Sequence, residues 1–545
     1  TRALNPTQPT TAGSQAFAYV TKELERESIT GAVTAVKDSA GIRTALSYDT
    51  MGRVTQIAST NDSSEKATNI EYTSLLETRV FRGTNAGDPN NYTEAIYKYD
   101  KLGRLIETRR KTETGCAALQ KTSYDIVGRV IFVTEWGFDD ASACDAVQHA
   151  KQLARDTQLF SLTRGTDFRY YAGNDPNAVG AHDALGRLLK VITADGDSTE
   201  AAYAGPDTIV KINRLGTAPS STRYERDAFG NLVFVDAPEG ADGRYAYSAL
   251  GELTNVDLVS TPSTGSPLIQ PRSFVYDGMG RLKSSTNPEN GTVQFTSYDA
   301  VGRLIEKLDS DGRKFTFTYD PAGRILTSSS AEDTTAANTP PSSPRTYGTS
   351  HLLAQYFYDE AGGSNRLGRL THVDSFDEMG ALLSRRNLDY AGRNGRLSEE
   401  STTFAGWDGR EGIGSLDAEL KTCYFYDSLG LLSEQRYPAA SACVAGSAPA
   451  GVARLTYSYG YGALNTIQDA NRGAISPPTG LINGVIYSAS GALRKLTNGN
   501  NLATSIWPDV MGRPESISVL TNPAGAIDPT DQNFNANTTL FRTGH

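Results

Sequence analysis

Long apolar runs are missing from this 545-residue chain. A membrane-crossing helix needs about 18 or more consecutive apolar residues, and none is present. An excess of cations is missing too. Lys and Arg number 52 against 62 Asp and Glu, a net charge of -10, which argues against a nucleic-acid backbone as partner. The opening "TRALNPTQPTTAGSQAF" lacks the charged-then-apolar pattern of an export signal, so the export route is not visible and the chain reads as a mature or partial protein. Histidine is scarce. His149, His182, His351, His372 and His545 are scattered without metal-ligand spacing. Gly-x-Ser-x-Gly elbows, phosphate-binding loops and the alternating acidic loop of an EF-hand are absent as well. These absences lead us to expect no cofactor, no metal and no enzyme active site.

Cysteine is limited to Cys116, Cys144, Cys423 and Cys443. The first pair flanks Tyr124 and the second flanks Tyr426, and each pair ends in "ASAC". Two local pairs around equivalent elements suggest disulfides and an oxidising compartment; four buried thiols are the alternative.

What is abundant is one short pattern. An aromatic, His or Arg residue is followed by Asp or Ser, two further residues and Gly. It begins at residues 48, 99, 124, 182, 226, 247, 276, 298, 319, 358, 376, 426 and 487. Tyr298 and Tyr319 begin 21 residues apart, and other spacings fit a unit of that size with insertions and worn copies. Asp509 to Arg513 is a degenerate further copy, and Tyr72 and Tyr203 mark worn ones. Between turns, Lys314, Thr316 and Thr318 alternate with Phe315, Phe317 and Tyr319, the period-two pattern of a strand. Asp311-Gly312 and Asn290-Gly291 are hairpin signals. Candidate helices are few: residues 141–160 and "YVTKELERES" near the N-terminus.

Asp-x-x-Gly is the chemistry of a type I turn. Aspartate at the first position can bond the turn's own amides, and glycine at the fourth can take the left-handed conformation that closes a hairpin. The structural turns are therefore Tyr48, Asp49, Gly52, Arg53; Tyr99, Asp100, Gly103, Arg104; Tyr124, Asp125, Gly128, Arg129; Tyr276, Asp277, Gly280, Arg281; Tyr298, Asp299, Gly302, Arg303; and Tyr319, Asp320, Gly323, Arg324. A residue repeated this often is placed by architecture and not by catalysis. The residue before the glycine is apolar in most copies: Met51, Leu102, Val127, Leu185, Phe229, Leu250, Met279, Val301, Met379 and Leu429. Such tips lead us to expect packed turns, each against the next. The arginine after the glycine is expected to stack on an aromatic ring or to pair with an aspartate of the neighbouring unit.

These Tyr-Asp-x-x-Gly-Arg-Leu units resemble the tyrosine-aspartate (YD) repeats of Rhs proteins, Tc toxin C components, bacterial wall-associated proteins and teneurins. The resemblance implies an all-β fold, a long spiral antiparallel sheet of hairpins wound into a hollow shell. It places a lead-in over residues 1–37, the repeat shell over 38–515 and an extension over 516–545 that continues into sequence not present here. It implies a secreted or cell-surface, non-catalytic shell that encloses or displays another polypeptide, such as a toxin. An extracellular adhesion, matrix or carbohydrate-binding role is the alternative. The implied partner is a protein cargo or a cell-surface partner, with a glycan as a further candidate. One departure is plain. The paired Asp-Pro-x-Gly self-cleavage motifs of the toxin relatives are not found; the single match, Asp320 to Gly323, lies inside an ordinary repeat.

Overall fold

A computed structural model describes residues 22–84, 86–113, 115–139, 161–171, 183, 185–205, 207–214, 217–238, 240–260, 266–335, 345–404, 420–439, 443, 453–470, 480–500, 502–509, 511, 513–520 and 539–544. Among them the fold is all-β and antiparallel. The described residues form strands joined by turns, with one short 3-10 turn at Arg393–Gly395. Strand Glu23–Arg26 occupies the middle of the N-terminal candidate helix and pairs with Val33–Lys37. Pairing to an existing edge outweighs the helix preference of the Lys, Glu, Leu and Arg residues in that segment. The other candidate helix, residues 141–160, lies outside the described residues.

The chain forms two compact units. One contains the residues up to Asp167, Tyr358–Thr371 and those from Arg386 onward; the other contains Phe168–Phe357 and His372–Arg385. In the second unit, strands from Lys190–Ile192 to Ile325–Ala331 pair with their sequence neighbours in unbroken antiparallel order. In the first unit, Glu23–Arg26 through Val130–Thr134 do the same.

A register shift recurs where the motif begins. It falls between Ser47 and Tyr48, Lys98 and Tyr99, Val275 and Tyr276, Ser297 and Tyr298, and Thr318 and Tyr319. Each is a bulge that lets the hairpin close on a left-handed glycine. The sheet is thin, so most strand residues are half-buried. A small core of Cys116, Ala118, Phe138 and Ala489, backed by Trp136, lies in the first unit.

Candidate functional site: turn clamps and a winding seam

The motif builds one clamp many times. In the Asp299 turn, Gly302 N–H donates to the Asp299 carbonyl at 3.0 Å, and Asp299 N–H donates to the Arg303 carbonyl at 2.8 Å. One Asp299 carboxylate oxygen accepts the backbone N–H groups of Val301 and Arg303, at 3.0 and 2.9 Å. The other accepts Arg303 Nε at 2.6 Å. The turns at Asp49, Asp100, Asp125 and Asp277 repeat this set. The Asp320 turn carries Pro321, and its Asp320 still holds Arg324 N and Nε. Glycine is required because φ is +89° at Gly302 and +76° at Gly52. Where serine replaces aspartate, Ser248 Oγ accepts from Leu250 and Glu252 N–H at 3.2 Å and donates to the Glu252 carboxylate. The degenerate Asp509 copy has the same bonds to Arg513.

Each clamp grips the next. Arg303 lies 4.9 Å from the centre of the Tyr319 ring, and its Nη1 donates to the Asp320 carbonyl at 2.8 Å. The Tyr319 hydroxyl donates back to the Leu304 carbonyl at 2.8 Å. Arg104, Tyr124 and Leu105 repeat the arrangement, and Arg281 likewise stacks on Tyr298, whose hydroxyl bonds the Leu282 carbonyl. The expected stacking on a ring is seen here. The carboxylate partner, however, is the arginine's own aspartate, and the neighbouring aspartate contributes its carbonyl. The four-residue spacing lets the guanidinium fold back over its own turn while its far edge reaches onward.

The worn copies keep the relay. Arg53 stacks on Tyr72 and Arg187 on Tyr203, and both tyrosine hydroxyls bond the preceding unit. A further copy escaped sequence reading. Tyr390 takes Arg369 on its ring and bonds the Leu370 carbonyl, while Arg396 stacks on Tyr426. "NGRL" at residues 394–397 was the available signal, masked by one turn's irregular length.

Replacing Arg303 with Ala removes a carboxylate pair, a ring stack and the bond to Asp320. We expect a loss of about 2 kcal/mol, measured as a lowered urea midpoint. Arg303→Lys should recover less than half of it, because an ammonium cannot hold Asp299 and the Asp320 carbonyl as a fork does.

Acid should loosen the clamps. The carboxyls of Asp49, Asp100, Asp277 and Asp299 lie below the usual range, with backbone and side-chain bonds from the paired arginine outweighing burial. Asp183 is held at about 2, chiefly by the Arg187 side chain. A carboxyl depressed in the folded state adds stability above its unfolded value, about 3.9, and loses it as pH falls through the folded value. Circular dichroism should therefore be unchanged at pH 5 and decline between about pH 4 and 2.

The tips correct an expectation. Met51 is 68% exposed and Phe229 91%, and the other apolar tips except Leu429 are exposed as well. Consecutive clamps lie two strands, about 9.6 Å, apart along the sheet edge. Tip side chains that point off that edge do not close this gap. Leu429 is 2% exposed because another segment covers it.

That segment belongs to a seam within the first unit. Late residues pack along early ones with the two segments running in broadly the same direction, between 328 and 379 positions apart. Ser39 Oγ donates to the Leu367 carbonyl, and Arg393 pairs with Asp62 at 3.3 Å. Glu65 accepts Arg396, Asn394 and Arg82. Lys66 N–H donates to the Ser428 carbonyl at 2.7 Å and Tyr461 N–H to the Pro89 carbonyl at 2.6 Å. Arg110 Nη2 donates to the Ala489 carbonyl at 2.9 Å, and Tyr487 N–H to Glu113 Oε1 at 3.2 Å. A cavity of about 500 Å³ opens beside these last contacts, lined by Arg82, Glu94, Lys111, Glu113, Tyr461 and Ser488 among others.

Cys423 and Cys443 form a disulfide. Cys116 is also disulfide-bonded; Cys144 lies outside the described residues, as does His182. Among the described residues, no cluster of His, Cys, Asp and Glu could hold a metal ion, and no helix is long and apolar enough to cross a membrane.

Comparison with known proteins agrees with this geometry. The RHS Repeat family model matches residues 298–335. Double-stranded DNA deaminase toxin A of Burkholderia cenocepacia is 23% identical over 306 residues, covering 47% of this chain and 20% of that protein. Toxin protein Tse5 of Pseudomonas aeruginosa is 31% identical over 157 residues, covering 27% of this chain and 11% of its own. The chain thus spans a fifth or less of these relatives. Among solved structures, TcdB2-TccC3 without its hypervariable C-terminal region aligns over 92% of this chain and 28% of that one, with a TM-score of 0.66 and 13% identity. TcdB2-TccC3-Cdc42 gives 0.64 at 14% identity, over 92% and 28%. A Photorhabdus luminescens Tc holotoxin pore gives 0.62 at 13%, over 92% and 29%. The Tyr-Asp clamps, the all-β fold and these likenesses together support an Rhs-type YD-repeat architecture for this chain, with the RHS Repeat model itself matched at residues 298–335.

Proposed function

We propose that this chain is a non-catalytic wall segment of a toxin-associated Rhs protein, whose repeats enclose or display a separate polypeptide outside the cytosol of the producing cell. The observation that carries the reading is the clamp relay. The aspartates and arginines that could do chemistry are used up in holding one hairpin to the next, from Asp49 to Arg513. The relatives named as toxins support the toxin association, and the disulfides favour an oxidising compartment. In this reading, any deaminase or other toxic activity resides in sequence other than these repeats.

Two measurements test it. The purified chain, incubated with double-stranded DNA, should convert no cytosine to uracil; turnover that survives further purification would overturn the non-catalytic reading. The protein isolated whole from its producer should protect a bound or attached polypeptide from protease. That polypeptide should become digestible when the sheet is unfolded in urea. Equal digestion before and after unfolding would remove the enclosing role.

A further inference from the structure

The strand Leu420–Tyr426 carries a buried sulfur in charged company. Cys423, 1% exposed, is bonded to Cys443, which is half-buried. Directly opposite Cys423 stand Glu399 on one neighbouring strand and Arg436 on the other, and Arg454 stands opposite Arg436. Residues paired in this way share one face of the sheet, with Cβ atoms about 5 Å apart. Lys421 and Phe425, two positions either side of Cys423, belong to that face as well. The guanidinium of Arg436, itself 2% exposed, lies 4.6 Å from the centre of the Phe425 ring, which keeps it on the side of Cys423.

On the strands Glu399–Phe404, Leu420–Tyr426, Leu432–Ala439 and Ala453–Gly460, the described residues of this face include the cations Lys421, Arg436 and Arg454 and the carboxylates Glu399 and Glu434. Glu399 takes Lys421 at 2.8 Å, and Glu434 takes both Arg436 and Arg454. Past Glu399, Asp389 is paired with Arg366, and Glu360 takes the Thr371 hydroxyl. The charge nearest the sulfur is therefore positive in balance, which favours a thiolate there. The other disulfide has the opposite setting. Cys116 is fully buried in the apolar cluster of Ala118, Phe138 and Ala489, and apolar surroundings disfavour a thiolate.

We propose that Cys423–Cys443 is a redox-active disulfide, opened by a small thiol at the Cys443 sulfur, while the Cys116 disulfide is a static brace. The attacking thiolate bonds to Cys443 Sγ. The S–S bond breaks and its electron pair leaves on Cys423 Sγ, which the arginines stabilise until it takes up a proton. A second thiol resolves the mixed disulfide, freeing the Cys443 thiol and departing with the first as an oxidised dimer. Two electrons thus pass from two thiols to the protein. Cys443 is the sulfur attacked because Cys423 is covered. The bond joins positions 20 apart, and the loop so closed contains the turn at residues 427–430. That turn seats Leu429 in the seam and accepts the Lys66 N–H. Opening the bond removes the constraint on the loop, so the turn leaves the seam more readily. This chemistry belongs to the sheet itself and does not depend on an enclosing role.

Reduced glutathione added to the intact oxidised chain, with timed alkylation and peptide mass analysis, tests this. Cys423 should be labelled before Cys116. A neighbouring charge moves a pKa by about one unit or more. With a leaving-group slope close to that of an attacking thiol, about 0.5, one unit becomes about threefold in rate. Arg436→Gln should therefore slow Cys423 labelling about threefold, and Glu399→Gln should speed it by a similar factor, with Cys116 labelling unchanged in both. Arg454→Gln, at a side chain 31% exposed, should slow it less, and it gives the same test should Arg436→Gln not fold. In Cys443→Ser, which lacks this bond alone, the Leu429 and Lys66 amides should exchange faster than in the oxidised wild type. Cys116 labelled first would overturn the proposal. So would arginine and glutamate variants that move the rate the same way, or Leu429 and Lys66 amides as protected in Cys443→Ser as in wild type.

Discussion

Glu65→Ala should lower the stability of the first unit by about 3 kcal/mol, seen as a lower urea midpoint. The residue is only 9% exposed and takes four donors. Arg396 bonds it at 2.7 and 3.1 Å, Arg82 at 2.9 Å, and Asn394 through its side-chain amide. Removing the carboxylate leaves two guanidiniums close together with no counter-charge. Breaking a buried pair by deleting one partner costs about 3–5 kcal/mol. The low end applies, because Arg82 and Arg396 are 29% and 34% exposed and water screens part of the repulsion. Glu65→Gln should cost less, since the amide oxygen still accepts Asn394. Adding Arg396→Ala to Glu65→Ala should return part of the loss. A strictly additive double variant would show that the two residues do not act as a pair.

The contrast between clamp and seam explains what the sequence reveals. The clamp is local: aspartate, glycine and arginine lie within five residues, and turn chemistry alone relates them. Repetition then separates architecture from active-site coincidence, as at Asp299 and Arg303. The relay from Arg303 to Tyr319 was half legible, because stacking on a ring could be expected but the fold-back onto Asp299 depends on the bulge. The seam was not legible. Glu65 and Glu113 fall in connections between strands and belong to no repeat, Asn394 sits in the one irregular copy, and all three meet partners more than 320 positions away. Nothing periodic marks the two glutamates. The apolar tips were misjudged for a related reason. Hydrophobicity says that a residue would gain from cover, while only the winding determines which tip, Leu429, receives it.

Gly83→Ala should prove more damaging than Gly52→Ala, although only the second glycine belongs to the motif. Both are left-handed, with φ of +93° and +76°. That conformation costs a residue with a Cβ about 1–2 kcal/mol. At Gly52 nothing lies within 4 Å of the added carbon, so the backbone term stands alone. At Gly83 the carbon would sit 1.8 Å from the Asn91 carbonyl oxygen and 3.2 Å from the Tyr92 Cα. Backbone cannot turn aside as a side-chain end can. Tyr92 is itself 2% exposed and tied through its hydroxyl to Arg79 and Glu94. Forcing the Asn91–Tyr92 backbone outward therefore disturbs that cluster and the strand Thr93–Tyr99 that follows. Overpacking of this kind adds about 1–3 kcal/mol, for a total near 3 kcal/mol against about 1 for Gly52→Ala. Parallel urea titrations of the two variants measure the difference. Equal midpoints would mean that the loop between the strands at residues 77–82 and 93–99 yields freely, and that the close approach at Gly83 holds nothing in place.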